Sequence, residues 1–152
     1  MDQASEEPIF VNVTRFSSLK KLYLQKNVLN GFFMERVGQV SSLEYLGLSD
    51  NQMRGPLLDL AWFPSLRELQ LGTNQFQGRI PQGIGKLSQL RILDVSSNRL
   101  DGLPEIMGQL SNLERFDASN NEGYYHRVPL FKSLQFCRLR PILQLVDFEH
   151  EL

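Results

Sequence analysis

The chain has 152 residues, of which 41% are hydrophobic, and a mean hydropathy of -0.26, values typical of one folded, water-soluble domain. Its 16 basic and 17 acidic residues give a net charge of -1, so the overall basic charge expected of a nucleic-acid binder is missing, although a basic groove could still exist locally. No apolar run approaches the roughly 18 residues of a membrane helix, the acidic start MDQASEEPIF does not resemble a secretory signal, and the single Cys137 cannot form an internal disulfide.

Residues 1–15 are predicted to form an N-terminal segment that partly caps the fold. Within this segment, IFVNV alternates apolar and polar residues, as a strand with one buried face does. The sequon Asn12-Val13-Thr14 follows, and Asn12 would be glycosylated in an exported protein.

Residues 16–121 contain five copies of one motif, which repeats every 23 or 24 residues. The copies are LKKLYLQKNVLNG (19–31), LEYLGLSDNQMRG (43–55), LRELQLGTNQFQG (66–78), LRILDVSSNRLDG (90–102) and LERFDASNNEGYY (113–125). Each copy has one asparagine at an equivalent place, namely Asn27, Asn51, Asn74, Asn98 and Asn121. Such regular spacing indicates a stacked repeat protein, not a single globular unit.

Each copy ends its leucine pattern in a period-2 alternation, which predicts a short strand with one buried face. One such strand cannot bury its apolar side alone, so the copies are predicted to pair as a parallel sheet. The equivalent buried positions are Leu22, Leu46, Leu69, Leu93 and Phe116.

The asparagines are predicted to form a ladder inside the stack. After each strand the chain must turn sharply, which leaves backbone N–H and C=O groups buried without strand partners. An amide side chain offers donors and an acceptor to these groups. Replacing such a residue by leucine should therefore leave buried backbone groups unpaired.

The stretch from Leu66 to Leu90 reads LxxLxLxxNxFxGxIPxxIGxLSxL, which resembles the plant-specific leucine-rich repeat. The resemblance implies an α/β fold, a right-handed solenoid forming a horseshoe segment, with parallel strands on the concave face and short turns or 3₁₀ segments on the convex side. More narrowly, the repeats resemble the ectodomains of plant receptor-like immune proteins of the type that perceives a fungal xylanase. Such relatives are plasma-membrane proteins with an extracellular repeat domain, but neither a signal peptide nor a membrane helix is recognisable here, so the compartment stays open.

Residues 122–152 depart from the repeat pattern. A degenerate sixth unit begins at Leu134, with Cys137 at a leucine position and Ile142 where the ladder asparagine belongs. The tail is either an improvised cap or sequence unrelated to the family through truncation or altered splicing, and we favour the second. Uncapped ends would expose apolar core, so self-association is also expected.

Catalysis is not expected from this chain. The histidines are His126 and His150 and the cysteine is Cys137, so a Cys-His pair is the most that the sequence could assemble. No phosphate-binding glycine loop and no metal-ligand spacing is present. We predict no cofactor and no metal, surface positions for the histidines, and a buried, apolar role for Cys137.

The concave face is the predicted ligand-binding surface, because residues between the leucines point outward there. Tyr23, Tyr45 and Ile92 are the predicted anchors, since aromatic side chains set among charges are typical of recognition surfaces. The predicted polar contacts are Lys21, Glu68, Gln70, Asp94, Arg115 and Asp117. The alternative is that these residues only solvate the sheet, and Asp94 and Asp117 stand where the repeat commonly carries aspartate.

Three functions follow from the resemblance. The first is a non-enzymatic recognition module of plant defence that binds a peptide or protein ligand, or a co-receptor kinase, on its concave face. The second is a leucine-rich repeat inhibitor that binds a cell-wall-degrading enzyme. The third is a truncated product without independent function.

Overall fold

The computed structural model describes residues 15–30, 32–38, 40–122 and 128–139. Three of the features predicted above, the Asn12 sequon, His126 and His150, lie outside these ranges, as does almost all of the predicted N-terminal cap. Within the described ranges, no helix has the length and apolar content needed to cross a membrane.

The main element is a parallel sheet that gains one strand from each repeat. In chain order, the strands of the structure are β1 (Lys21–Tyr23), β2 (Tyr45–Gly47), β3 (Arg54–Pro56), β4 (Glu68–Gln70), β5 (Gln75–Arg79), β6 (Ile92–Asp94), β7 (Arg99–Gly102), β8 (Arg115–Asp117) and β9 (Phe136–Arg138). The main sheet has the order β1-β2-β4-β6-β8-β9, and all its pairs are parallel. The predicted solenoid of parallel strands is therefore confirmed.

The register of the main sheet stacks the predicted leucine positions. Leu22 pairs with Leu46, and the column continues through Leu69 and Leu93 to Phe116. From Leu46 onward these side chains are almost fully buried, whereas Leu22 in the first described strand is only partly buried. Identical spacing in the sequence thus becomes one continuous apolar core.

A second parallel sheet, which the sequence analysis did not predict, contains β3, β5 and β7 in that order. It forms directly after the asparagines, where the sequence analysis predicted no strand. Phe76 and Leu100 point into the core from this sheet, while Gly55 and Gly78 adopt φ values of 88° and 77°. Glycine suits these two positions because a side chain is strained in that conformation.

The convex side carries short helical segments. They are 3₁₀ helices at Leu60–Trp62, Gln82–Lys86 and Glu105–Gln109 and one α-helix, α1, at Phe32–Val37. The 3₁₀ segments agree with the prediction. Two of them directly follow a proline with extended backbone, Pro81 and Pro104. The α-helix differs from the expected turn because the first return segment, NGFFMERVGQV, contains no proline and so permits a continuous helical turn and a half.

The described part of the tail, residues 128–139, continues the stack. Strand β9 pairs with β8 in register, so that Cys137 stands next to Phe116, and the Phe131 ring lies 5.6 Å from the Phe116 ring. Cys137 is nevertheless exposed, and the prediction that it is buried was wrong. The reason is its place in the terminal strand of the sheet, where no further described repeat covers it.

The interior asparagines make one bonding pattern four times. In the central repeat, the Asn74 amide nitrogen donates to the backbone oxygens of Leu71, 3.1 Å away in its own repeat, and of Leu48, 3.0 Å away in the preceding repeat. Its amide oxygen accepts from the backbone N–H of Met53, also in the preceding repeat, at 3.1 Å. Asn51, Asn98 and Asn121 make the equivalent bonds.

Asn27 differs from the other four asparagines. It donates to the backbone oxygens of Leu24 and Gln25 in its own repeat, both at 3.0 Å, but it is exposed. The structure describes no repeat before it, and among the described residues nothing donates to its amide oxygen. The interior role predicted for the asparagines thus describes four of the five positions, and Asn27 lies at the end of the column.

The residue before each asparagine has a left-handed backbone. Lys26, Asp50, Thr73, Ser97 and Asn120 have φ values between 53° and 57°. This conformation is costly for any residue with a β-carbon, and more so for β-branched Thr73. It recurs because the tight turn after each strand requires it, and the neighbouring amide bonds hold it in place.

Candidate functional site

The register of the main sheet arranges the outward-facing side chains of the concave face in rows across the strands. We call two of them the floor row and the entry row. The floor row begins each strand and contains Lys21, Tyr45, Glu68, Ile92 and Arg115. The entry row contains the residues immediately before these, Lys20, Glu44, Arg67, Arg91 and Glu114. Neighbouring strands lie about 4.8 Å apart, so residues in one row are close enough to act on a single ligand.

An open groove of about 360 Å³ lies over these two rows. It is lined by Lys21, Tyr23, Glu44, Tyr45, Arg67, Glu68, Arg91, Ile92 and Glu114. Five of the nine residues predicted to bind a ligand therefore lie together in the groove. Gln70, Asp94, Arg115 and Asp117 do not line it.

Two tyrosines form the aromatic part of the groove. The rings of Tyr23 and Tyr45 are stacked, with centroids 4.3 Å apart, and Tyr23 remains 59% exposed. The Gln25 amide donates a 2.7 Å hydrogen bond to the Tyr45 hydroxyl. Burial, followed by the charge of Glu68, raises the pKa of Tyr45. Its hydroxyl accepts from Gln25 and can also donate a hydrogen bond to a ligand.

Gly47 makes room for this arrangement. It follows Tyr45 by two residues and faces the same side of the sheet. A β-carbon at Gly47 would lie 2.2 Å from the Gln25 amide nitrogen and 2.8 Å from the Tyr45 hydroxyl. Because Gly47 has no side chain, the Gln25 amide and the Tyr45 hydroxyl can meet directly above it.

The entry row is a chain of ion pairs between repeats. Glu44 pairs with Lys20 at 2.9 Å and with Arg67 at 3.7 Å, and Arg91 pairs with Glu114 at 2.9 Å. The hydrogen bond and charge of Lys20, followed by the charges of Arg67 and Lys21, hold the pKa of Glu44 below its usual range. The charges that form the wall of the groove thus neutralise one another.

The sequence analysis did not select Glu44, Arg67, Arg91 and Glu114 as binding residues. The signal that could have identified them is their position. Each one immediately precedes a strand, and opposite charges recur there at a spacing of one repeat. Charged side chains on neighbouring strands at the same register are expected to pair.

The four predicted residues outside the groove make other contacts. Asp94 and Asp117 each accept bonds from the backbone N–H and the hydroxyl of the serine two residues later, at 2.9 and 2.6 Å. Arg115 lies 5.1 Å from the centroid of the Phe136 ring. Gln70 donates a 2.8 Å bond to Glu68. The two aspartates therefore stabilise the turn after the strand, a role that the sequence analysis did not predict.

Among the residues that the structure describes, no three histidine, cysteine, aspartate or glutamate side chains come together as metal ligands. The charges of the concave face are arranged as pairs and rows along the sheet, which suits contact with an extended ligand.

The repeats and the sheet define the class of protein. The leucine rich repeat family model matches residues 64–122, and the solved ectodomain of the Arabidopsis thaliana receptor kinase SOBIR1 is 32% identical, with a TM-score of 0.67 over 78% of this chain and 67% of that one. This chain belongs to the leucine-rich repeat proteins.

Two further similarities point to plant receptors. The chain is 96% identical over 27 residues to receptor-like protein EIX2 of tomato, Solanum lycopersicum, a match that covers 18% of this chain and 3% of that protein. It is 32% identical to the plant peptide hormone receptor RGFR1, solved in complex with RGF2, with a TM-score of 0.76 over 81% of this chain and 21% of that one. The chain thus spans a small part of each of these two proteins.

Proposed function

We propose that this chain is a non-enzymatic recognition module, a segment of a plant receptor-like ectodomain that binds a peptide or protein ligand, or a co-receptor kinase, in defence signalling. The observation that carries the proposal is the groove on the concave face. It combines a stacked aromatic pair, the partly buried aliphatic residue Ile92 and several charges on a sheet whose other face packs on the buried core.

The groove has the composition of a binding surface. Tyr23 and Tyr45 offer large apolar area at a small entropic cost, because tyrosine has few rotatable bonds. Aromatic residues and arginine carry much of the energy at protein interfaces. Arg67 precedes the strand next to that of Tyr45, Arg91 precedes the strand after it, and each side chain is more than half exposed.

The similar proteins support the same function. The tomato protein is a receptor-like protein by name, and the peptide hormone receptor was solved with RGF2 bound. A peptide or protein ligand for this chain is inferred from that similarity together with the groove. The defence role follows from the narrower resemblance to receptors of the fungal xylanase type.

Binding measurements on the full chain test the proposal. The chain would be immobilised and exposed to a purified fungal xylanase and, separately, to a receptor-kinase ectodomain, with biolayer interferometry as the measurement. We expect saturable binding of at least one of them, weakened at least about tenfold by the double substitution Tyr45→Ala with Ile92→Asp.

Asp101→Asn provides the matched control, because Asp101 is exposed on β7, outside the groove. Its binding should equal that of the wild type. Absence of binding to both proteins, or equal binding by the groove variant and the control, would contradict the proposal. Inhibition of a pectin-degrading enzyme by the chain would instead favour the inhibitor function.

A further inference from the structure

We propose that the floor row of the groove selects an extended peptide segment with an acidic residue, an apolar residue and a basic residue in that order along the solenoid. This inference rests on the proposed function and specifies the chemistry of its ligand. Charge complementarity between the floor row and the segment carries it.

The entry row is unsuited to reading charge on a ligand. Its carboxylates already have cationic partners, since Glu44 lies between Lys20 and Arg67 and Glu114 holds Arg91 through two hydrogen bonds of 2.9 and 3.0 Å. A ligand charge that approached this row would have to displace an existing partner. Selection of charged residues in the ligand must therefore come from the floor row.

The floor row carries charges of opposite sign that are not used in ion pairs. Among the described residues, no carboxylate lies within 4 Å of the Lys21 amine and no cation lies within 4 Å of the Glu68 carboxylate. One carboxylate oxygen of Glu68 accepts from Gln70, and its other oxygen is available. Lys21 attracts an acidic group and Glu68 a basic group, and Tyr45 stands between them.

The apolar positions complete the row. Tyr45 is stacked on Tyr23, whose ring is 59% exposed, and Ile92 follows Glu68 on the next strand. An apolar or aromatic ligand residue placed between the two charges would lie against the tyrosine rings. The sequence of chemistry across four strands is therefore cation, aromatic, anion and aliphatic.

The spacing of the row matches the repeat of an extended chain. Lys21 and Glu68 are two strands apart, a distance of about 9.6 Å. A polyproline II segment advances about 9.3 Å in three residues and returns to the same side. An acidic and a basic residue three positions apart would therefore meet Lys21 and Glu68 together. An apolar residue between them would be turned about 120° from that side and would point beside the floor row, where the Tyr23 ring is exposed.

A displayed peptide library tests this inference without knowledge of the natural ligand. Random dodecapeptides would be selected on the full-length wild-type chain and on two variants, Lys21→Gln and Glu68→Gln, and the enriched peptides would be sequenced. On the wild type, acidic and basic residues three positions apart should be enriched together. Lys21→Gln should lower only the acidic enrichment and Glu68→Gln only the basic enrichment, each about two- to fivefold.

The controls are Arg54→Gln and Asp101→Asn, which change exposed charges on the second sheet. They should leave both enrichments unchanged, and circular dichroism should show the same fold for all variants. Peptides enriched without a charge preference, or preferences that Lys21→Gln and Glu68→Gln do not separate, would overturn the inference and leave the proposed function standing. If the wild-type chain enriches no peptide, this inference is overturned, whereas the proposed function is decided by the binding measurements with the fungal xylanase and the receptor-kinase ectodomain.

Discussion

The interior asparagines and the concave face share one period but use it in opposite ways. From Asn51 to Asn121 the same amide makes the same bonds in every repeat, whereas the floor row changes from lysine to tyrosine to glutamate to isoleucine between neighbouring strands. The amides bond to backbone groups, which are identical in all repeats. The side chains of the floor row point away from the core. The repeated backbone therefore does not determine which side chain stands at each of these positions. The bonds between repeats and the proposed recognition thus involve different positions of one repeat.

The largest expected effect on the free energy of unfolding is at an interior asparagine. Asn74→Leu should lower the free energy of unfolding by about 1–3 kcal/mol for each backbone group that it leaves buried and unpaired. More than one group is affected, because Leu48, Leu71 and Met53 all bond to this amide. Urea denaturation followed by circular dichroism measures the loss.

Asn27→Leu is the control for that measurement. Asn27 is exposed and bonds to its own repeat, so water can replace the lost bonds and the cost should be much smaller. Equal costs at the two positions would show that the interior bonds between repeats do not set the stability of the stack.

A smaller effect is expected within the groove. Tyr45→Phe removes the hydroxyl that accepts from Gln25, at a cost of about 0.5–1.5 kcal/mol in unfolding free energy. Tyr23→Phe is the matched change, because the Tyr23 hydroxyl makes no hydrogen bond within the described residues. Thermal denaturation of both variants should rank Tyr45→Phe below Tyr23→Phe, and the reverse order would argue against the bond to Gln25.

The entry row should contribute still less. A double-mutant cycle with Arg91→Gln and Glu114→Gln is expected to give a coupling energy of about 0.2–1 kcal/mol, because both side chains are partly exposed. The coupling should fall in 1 M salt, since screening weakens exposed pairs. A coupling energy that is unchanged by salt would mean that packing and hydrogen-bond geometry, and not charge attraction, stabilise the pair.

The smallest effect is a pH dependence. The pKa of Glu44 is lowered in the folded chain, so its ion pairs add stability above the unfolded pKa, and this contribution disappears as the pH falls through the lower, folded pKa. Wild type should therefore be more stable than Glu44→Gln at neutral pH, and the difference should vanish in acid. Urea midpoints measured across this range provide the test, and a difference that grows on acidification would contradict it.

The repeat pattern was sufficient to predict the main sheet, because burial repeats once per turn of the solenoid. The register of Leu46, Leu69 and Leu93 follows directly from their spacing. The second sheet was missed because its strands are only three to five residues long, and the large apolar residues in them are Phe76 in β5 and Leu100 in β7, too few to reveal an alternation in the sequence. Gly55 and Gly78 also lie in this sheet at positive φ, and a glycine in a sequence is more typical of a turn than of a strand.

The candidate site was predictable only in part. Period-2 alternation places Tyr23, Tyr45 and Ile92 on the outer face, and all three line the groove. It cannot distinguish a carboxylate that faces a ligand from one that holds a turn, as Asp94 does through Ser96. That difference depends on local bonds two residues away. Arg91 and Glu114 are 23 residues apart in the sequence, and their pairing can be predicted only when the register of the two strands is known.

The bonds of the interior asparagines also have a direction. Asn51, Asn74, Asn98 and Asn121 all reach back to the repeat that precedes them in the chain. A ribosome makes the protein in the same order, so each newly emerged coil finds its amide's acceptors already synthesised. Each new asparagine therefore completes the hydrogen bonding of the coil made just before it, as Asn51 does for the backbone N–H of Leu29.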